Sequence, residues 1–125
     1  MKKTILIVED NPDNSLLAKK VLSHYGFEII LCEDGSSALS YCQKSSPPSL
    51  ILMDISIPDI NGLDLTKKIR KLPSYLNVPI VAVTANATTE MQEKTLLAGC
   101  VNILLKPFTP SELIKIVEQY IGFSQ

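Results

Sequence analysis

Four short apolar runs in this sequence end in residues that can hold a cation or an oxyanion. TILIV is followed by Glu9 and Asp10, LILM by Asp54, PIVAV by Thr84, and VNILL by Lys106. Carboxylates, a hydroxyl and an ammonium are the groups that bind a divalent metal on one side and a phosphoryl group on the other. A lysine is seldom buried without a partner, so Lys106, closing an apolar run and locked against Pro107, is either a solvated strand end or a residue paired at the rim. Two carboxylates about 5 Å apart repel by roughly 3 kcal/mol even at an effective dielectric near 20. Glu9, Asp10 and Asp54 therefore need compensation if they converge. A magnesium ion with oxygen ligands would supply it; so would a proton on one carboxyl, or splaying into water. With Thr84 and Lys106 nearby, the chemistry suggested is phosphoryl transfer onto a carboxylate, where electrostatic positioning does most of the catalysis.

Such residues act together only if the chain brings the strand ends to one rim. Residues 4–9, 27–33, 50–54, 79–84 and 101–105 are β-branched, apolar runs that read as strands, the first buried on both faces. Between and after them, helices are expected over 14–25, 36–44, 62–72, 88–98 and 110–121. Asn11-Pro12 and Thr109-Pro110 give cap-plus-proline starts, while Gly26 and Gly99 give stops. Five strands alternating with five helices make an α/β, doubly wound, mostly parallel sheet covered on both faces. In a sheet whose strand order reverses, strands 1 and 3 are neighbours, and ligands bind beyond the strand carboxyl ends at that reversal.

Composition excludes several classes. The 125 residues are 46% hydrophobic and 20% charged with a formal net charge of −1, which suits one packed domain spanning 1–125. No apolar run approaches the roughly 18 residues of a membrane helix, and no basic excess favours nucleic acid. The expectation is a cytoplasmic protein with no membrane association and no direct nucleic-acid contact, and with no room after the last helix for an output domain. Lys67-Lys68-Ile69-Arg70-Lys71 reads as a solvated helix face. Cys32, Cys42 and Cys100 lack metal-ligand spacing and read as small buried or half-buried thiols. His24 reads as a helix-end residue without a nucleophile beside it.

Across nearly its whole length the chain resembles the receiver domain of two-component response regulators. The resemblance rests on the acidic pair in ILIVEDN, on LILMDISIPDINGLDL with Gly62 eight residues after Asp54, on Thr84-Ala85 in VAVTANA, and on Lys106-Pro107 in LLKPF. It implies a flavodoxin-like five-stranded parallel sheet in the order 2-1-3-4-5, as in stand-alone chemotaxis regulators. It implies that Asp54 takes a phosphoryl group from a phosphohistidine on a histidine kinase or histidine phosphotransfer protein. Asp10, Asp54 and the Ser56 main-chain carbonyl would ligate Mg2+, with Glu9 acting through water. Thr84, Lys106 and the N–H groups of Ser56 and Ala85 would hold the phosphoryl oxygens, and the Lys106–Pro107 bond would be cis. The activity implied is that of a signalling phosphoacceptor, self-catalysed phosphorylation and dephosphorylation aside, and not of a turnover enzyme.

Phosphorylation would draw Thr84 inward and change the face formed by the fourth helix, fifth strand and fifth helix, where a downstream protein binds. Family members commonly carry an aromatic residue three places before the lysine. Here Ile103 stands there, either as an ordinary β-branched strand residue or as part of a switch carried by backbone movement. Leu16, Leu17 and Phe108 are candidate contacts for the phosphoryl donor, or ordinary core and surface residues. Two rivals remain: a phosphorylation-silent interaction module, and an aspartate-nucleophile phosphohydrolase, whose usual second Asp is replaced here by Ser56.

Overall fold

The computed structural model describes residues 2–122. Its elements are β1 (Thr4–Val8), α1 (Pro12–His24), β2 (Glu28–Cys32), α2 (Gly35–Lys44), β3 (Leu50–Asp54), α3 (Gly62–Arg70), β4 (Ile80–Thr84), α4 (Thr89–Ala98), β5 (Asn102–Leu105) and α5 (Pro110–Ile121). A short 3₁₀ turn, Pro73–Tyr75, follows α3. All strand pairings are parallel, and the sheet order is β2-β1-β3-β4-β5. The order reverses between β1 and β3, which places the binding crevice beyond the ends of those two strands.

Strand periodicity divides the core in two. Leu6, Val8, Ile51, Met53, Ile80 and Ala82 face one side and pack against Ala38, Cys42, Leu65 and Ile69 of α2 and α3. Ile5, Ile7, Leu50, Leu52, Val81 and Val83 alternate with them and pack against Ala18 and Leu22 of α1 and Leu113, Ile116 and Val117 of α5. Burying each large aliphatic side chain contributes about 1.5–3 kcal/mol, so a one-residue slip of β1 or β3 would exchange both faces at prohibitive cost. The strands are therefore held in one register, and with them the residues that follow their ends.

Helix starts agree with their sequence signals. Asn11 accepts the Asn14 N–H, and Pro12 occupies the first turn of α1. Thr109 and Glu112 form a reciprocal capping box at α5. Boundaries shift from expectation by one or two residues at several ends: α1 runs Pro12–His24 instead of 14–25, and α3 ends at Arg70 instead of residue 72. Leu72 precedes Pro73, whose ring disfavours helical backbone at the preceding residue, and Leu72 is extended.

The basic run on α3 also differs in one member. Lys67, Lys68 and Lys71 are exposed, but Arg70 is half-buried. Its guanidinium donates to Gly99 O at 2.8 and 3.1 Å, to Val78 O at 2.7 Å and to Tyr75 O at 2.5 Å. Arg70 thus ties the end of α4 to the segment leading into β4. Gly99 closes α4 with φ 115°, and a Cβ there would lie 2.9 Å from Arg70 Cγ. All three cysteines are buried and unpaired, and burial pushes the Cys32 thiol up to about 11, which leaves little thiolate at neutral pH. His24 is the last residue of α1, with its ring edge-on to Tyr25. Among the described residues no helix is long and apolar enough to cross a membrane.

Candidate functional site

β1 and β3 run side by side with Val8 opposite Met53, so the residues just beyond them share one crevice. Glu9 and Asp54 are buried there, Asp54 to 3% exposure, while Asp10 is exposed at the mouth. One carboxylate oxygen from each of the three lies within 4.8 Å of the others. Three hard oxygen donors with one side open to water form a donor set that fits a magnesium ion keeping several of its waters.

β5 contributes the cation. The Lys106 ammonium donates to Asp54 Oδ2 at 2.8 Å and lies 3.0 Å from Glu9 Oε1. Its backbone is fixed by the Lys106 N–H, which donates to Thr84 O at 2.9 Å, and the Lys106–Pro107 bond is cis. The other Asp54 oxygen, Oδ1, accepts the Ser56 N–H at 2.9 Å. Asp54 therefore has one oxygen on a main-chain donor and one on an ammonium.

Charge in the crevice is balanced in two ways. Burial, reinforced by the facing Asp54 carboxylate, pushes Glu9 up to about 7, against the pull of Lys106 and the Asn11 N–H. Burial works on Asp54 in the same direction but is outweighed: hydrogen bonds with Glu9, Lys106 and the Ser56 N–H hold its carboxyl below the ordinary value. Burial also disfavours charge on Lys106, yet the two carboxylates win and raise its pKa. The Lys106 ammonium offsets part of the acidic cluster, and Glu9, at about 7, carries its proton only part of the time near neutral pH. Asp54, held below the ordinary value, is the more acidic of the two buried carboxyls.

Thr84 ends β4 and is buried beside this group. Its Oγ1 accepts the Asn86 N–H at 3.1 Å, an arrangement that leaves the hydroxyl proton to be donated elsewhere. Ala85 is exposed and, with Asn14, Leu17, Lys106, Pro107 and Phe108, lines an open depression next to the crevice. Leu17 is exposed; Ser15, Ala18 and Leu22 form the buried stripe of α1. Leu16 is exposed outside that depression, and Phe108 is half-buried against the α1–α5 side of the core. Ile103 lies away from the crevice, half-buried against the α2–α3 side and edging a groove with Gln92, Leu96 and Leu105.

Gly62 explains its own presence. Its N–H donates to Ile55 O at 2.9 Å, and a Cβ on it would stand 2.4 Å from Asp54 O. The loop after Asp54 can fold back against its own strand only because that Cβ is missing. Sequence reasoning missed Asp59, in the same loop. Its carboxylate accepts the Gly35 N–H at 2.9 Å, the Ser36 N–H at 3.3 Å and the Ser36 hydroxyl. The Ser36 hydroxyl bond leads in holding this carboxyl below its ordinary range, against slight desolvation, with the main-chain donors of Gly35, Ser36 and Ile60 adding to it. An acid in a turn-forming stretch such as PDIN carries no separate signal, because turn residues favour Asp for local reasons.

Comparison with known proteins converges on one family. The sequence model of the response regulator receiver domain matches residues 5–118. The polar-differentiation response regulator DivK of Brucella anthropi is 34% identical over 122 residues, covering 98% of both chains. The receiver domain of a sensor histidine kinase from Pseudomonas aeruginosa, solved with a magnesium ion coordinated in its active-site cleft, is 36% identical with a TM-score of 0.89, covering 98% of this chain and 99% of that one. Chemotaxis response regulator CheY4 of Vibrio cholerae superposes with a TM-score of 0.92 at 26% identity, covering 97% of this chain and all of its own.

Proposed function

Because the chain belongs to the response regulator receiver domain family, we propose that Asp54 accepts a phosphoryl group from a phosphohistidine on a partner histidine kinase or histidine phosphotransfer protein. The observation that carries this reading is the setting of Asp54: buried, with Oδ1 on the Ser56 N–H and Oδ2 on Lys106. A carboxylate oxygen forms the new P–O bond as the P–N bond of the donor breaks. The bonding pair leaves with the imidazole nitrogen, which regains a proton from water. The product is an acyl phosphate on Asp54.

Asp10, Asp54 and the Ser56 carbonyl, with Glu9 beside them, would hold Mg2+, which when bound neutralises charge on the phosphoryl oxygens. Lys106 shifts its donor bonds from two carboxylates toward the added oxyanion. The Thr84 hydroxyl donates its available proton to the same group, joined by the N–H groups of Ser56 and Ala85. Phosphorylation adds about −1.5 to −2 charges. Movement of Thr84 toward them draws the 85–88 segment and α4, and alters the α4–β5–α5 face that a downstream protein reads; Ile103 lies on that route. Leu17 and Phe108 border the depression beside Lys106 and, with Leu16 close by on α1, offer apolar contacts to the donor protein. On this reading 1–125 is a single receiver domain, a cytoplasmic signalling phosphoacceptor whose catalysis is limited to its own phosphorylation and dephosphorylation. It makes no direct contact with nucleic acid or membrane.

Intact-mass measurement after incubation with Mg2+ and acetyl phosphate tests the reading. One phosphoryl group on the wild type and none on Asp54→Ala is the expected outcome. Equal labelling of the two would remove Asp54 as acceptor. A wild type that no small donor or kinase labels would be a silent interaction module, and steady turnover of phosphoesters would make it a phosphohydrolase.

A further inference from the structure

The 55–61 loop supplies the main-chain groups of Ser56 on which the proposed site depends. Its near end is fixed by the Ile55 N–H, which donates to Val83 O at 3.1 Å, and by the buried Ile57 side chain. Its return is fixed by the Gly62 N–H on Ile55 O. Between these points the loop's outer half is bonded to α2. The Asp59 carboxylate takes two of the first main-chain donors of α2 and the Ser36 hydroxyl, and the Gly35 N–H also approaches Pro58 O at 3.4 Å. Asp34 caps the same helix from its own side by accepting the Ser37 N–H at 2.7 Å.

Two features set Asp59 apart from an ordinary turn residue. Its φ is 64°, a left-handed conformation that glycine adopts without steric penalty and other residues do not. The side chain is therefore retained at a position where backbone geometry alone would favour its removal. On the other side of the contact, Gly35 has no side chain to keep the loop away: a Cβ there would stand 2.8 Å from Ile60 Cβ and 2.9 Å from Asp59 Oδ1. Helix and loop close on each other through an acid on one partner and a missing Cβ on the other.

We infer that Asp59 is a positioning residue: by binding the N-terminus of α2 it holds the 55–61 loop so that the Ser56 N–H and C=O face the acidic crevice. Asp59 touches neither the phosphoryl group nor the metal and acts through the backbone of Ser56. The inference rests on the receiver reading above, and its consequence appears in metal affinity before it appears in folding. Residues that orient metal ligands from behind typically change affinity by about 10–100-fold when removed.

The test is calorimetric titration with Mg2+ alone, paired with the rate of acetyl phosphate labelling and with denaturant unfolding. Asp59→Ala and Asp59→Gly are expected to weaken Mg2+ binding by about 10-fold and to slow labelling in step. Asp59→Asn, whose single amide oxygen can replace Oδ1 on the Gly35 N–H but whose NH2 group then faces the Ser36 N–H, is expected to lose less affinity than Asp59→Ala. Gly35→Ala is expected to reproduce the Asp59→Ala phenotype from the other side of the contact. Asp34→Ala removes a cap from the same helix without touching the loop, and is expected to lower stability while leaving Mg2+ affinity unchanged. Wild-type affinity in both Asp59→Gly and Gly35→Ala would overturn the inference, as would an equal loss of affinity in Asp34→Ala. A wild type that binds no Mg2+ and takes no label overturns the receiver reading itself, a result distinct from a wild type that does both while Asp59→Gly matches it.

Discussion

Two loops leave neighbouring strands at the same rim, and they are built on opposite plans. The 55–61 loop after β3 is bonded to β4, to α2 and back to its own strand. Residues 85–88 after β4 are all exposed, and their hydrogen bonds stay local: the Asn86 N–H to Thr84 Oγ1, the Thr88 N–H to Asn86 Oδ1, and the Gln92 side chain to Ala87 O. On the proposed reading, the first loop presents main-chain groups that would stand still for a metal and an acyl phosphate. The second follows Thr84, the end of β4, whose hydroxyl would move. Exposed backbone with local bonds opens at low free energy, whereas cross-element bonds raise that cost. A site that took a phosphoryl group and passed on its arrival, as proposed, would need one wall of each kind.

The contrast can be broken most severely at Gly62. Gly62→Val places a Cβ 2.4 Å from Asp54 O and 2.7 Å from Ile55 Cα, both main-chain atoms that cannot turn aside. Loss of about 3 kcal/mol or more is expected in urea unfolding, with loss of labelling; a wild-type midpoint would show that the loop is not held as described. Lys106→Met comes next. Without the ammonium, two buried carboxylates face each other, and a loss of about 1–3 kcal/mol is expected in metal-free buffer. Added Mg2+ should recover part of it by binding only the folded chain. A variant equally stable with and without Mg2+ would contradict the charge balance assigned to Lys106.

Smaller effects sharpen the same comparison on the β4 side. Thr88→Ala removes the cap that accepts the Met91 N–H, worth about 1 kcal/mol. Amide exchange should quicken over 86–91 and stay unchanged over 55–62; quickening in both loops would mean that they open as one unit. Ala87→Gly, in exposed backbone, should change stability by no more than about 0.5 kcal/mol. A larger loss there would make the 85–88 segment a second rigid wall.

What the sequence disclosed about this site follows from where each signal is stored. Glu9, Asp54, Thr84 and Lys106 stand at the ends of apolar runs, so strand pattern and sheet order send them to one rim. Asp59 was hidden because its partners, Gly35 and Ser36, lie 24 and 23 residues earlier and meet it only once the sheet has formed. Arg70 was hidden for a related reason. Inside a run of lysines its type reads as surface charge, yet its position one turn beyond Thr66 and beside the buried Ile69 directs the guanidinium toward carbonyls of the β4 approach and α4. Leu17 shows the reverse: an apolar residue adjacent to the buried stripe of α1, but rotated out of it. Residue type and period locate strands and their ends; contacts between distant loops and helices are set by the assembled fold.

The clasp of Arg70 on Gly99 has a mechanical consequence. α4 is held at its C-terminal cap, Gly99, by a forked guanidinium and meets the rim at its first residue, through a segment with only local bonds. A rod of ten residues, about 15 Å long, fixed at one end behaves as a lever. Turning it by about 10° carries the free end through an arc of roughly 2–3 Å while the fulcrum stays put. The lone arginine in a row of lysines sets that fulcrum, and on the proposed reading it would fix the axis along which a small pull at Thr84 becomes a swing of a whole helix.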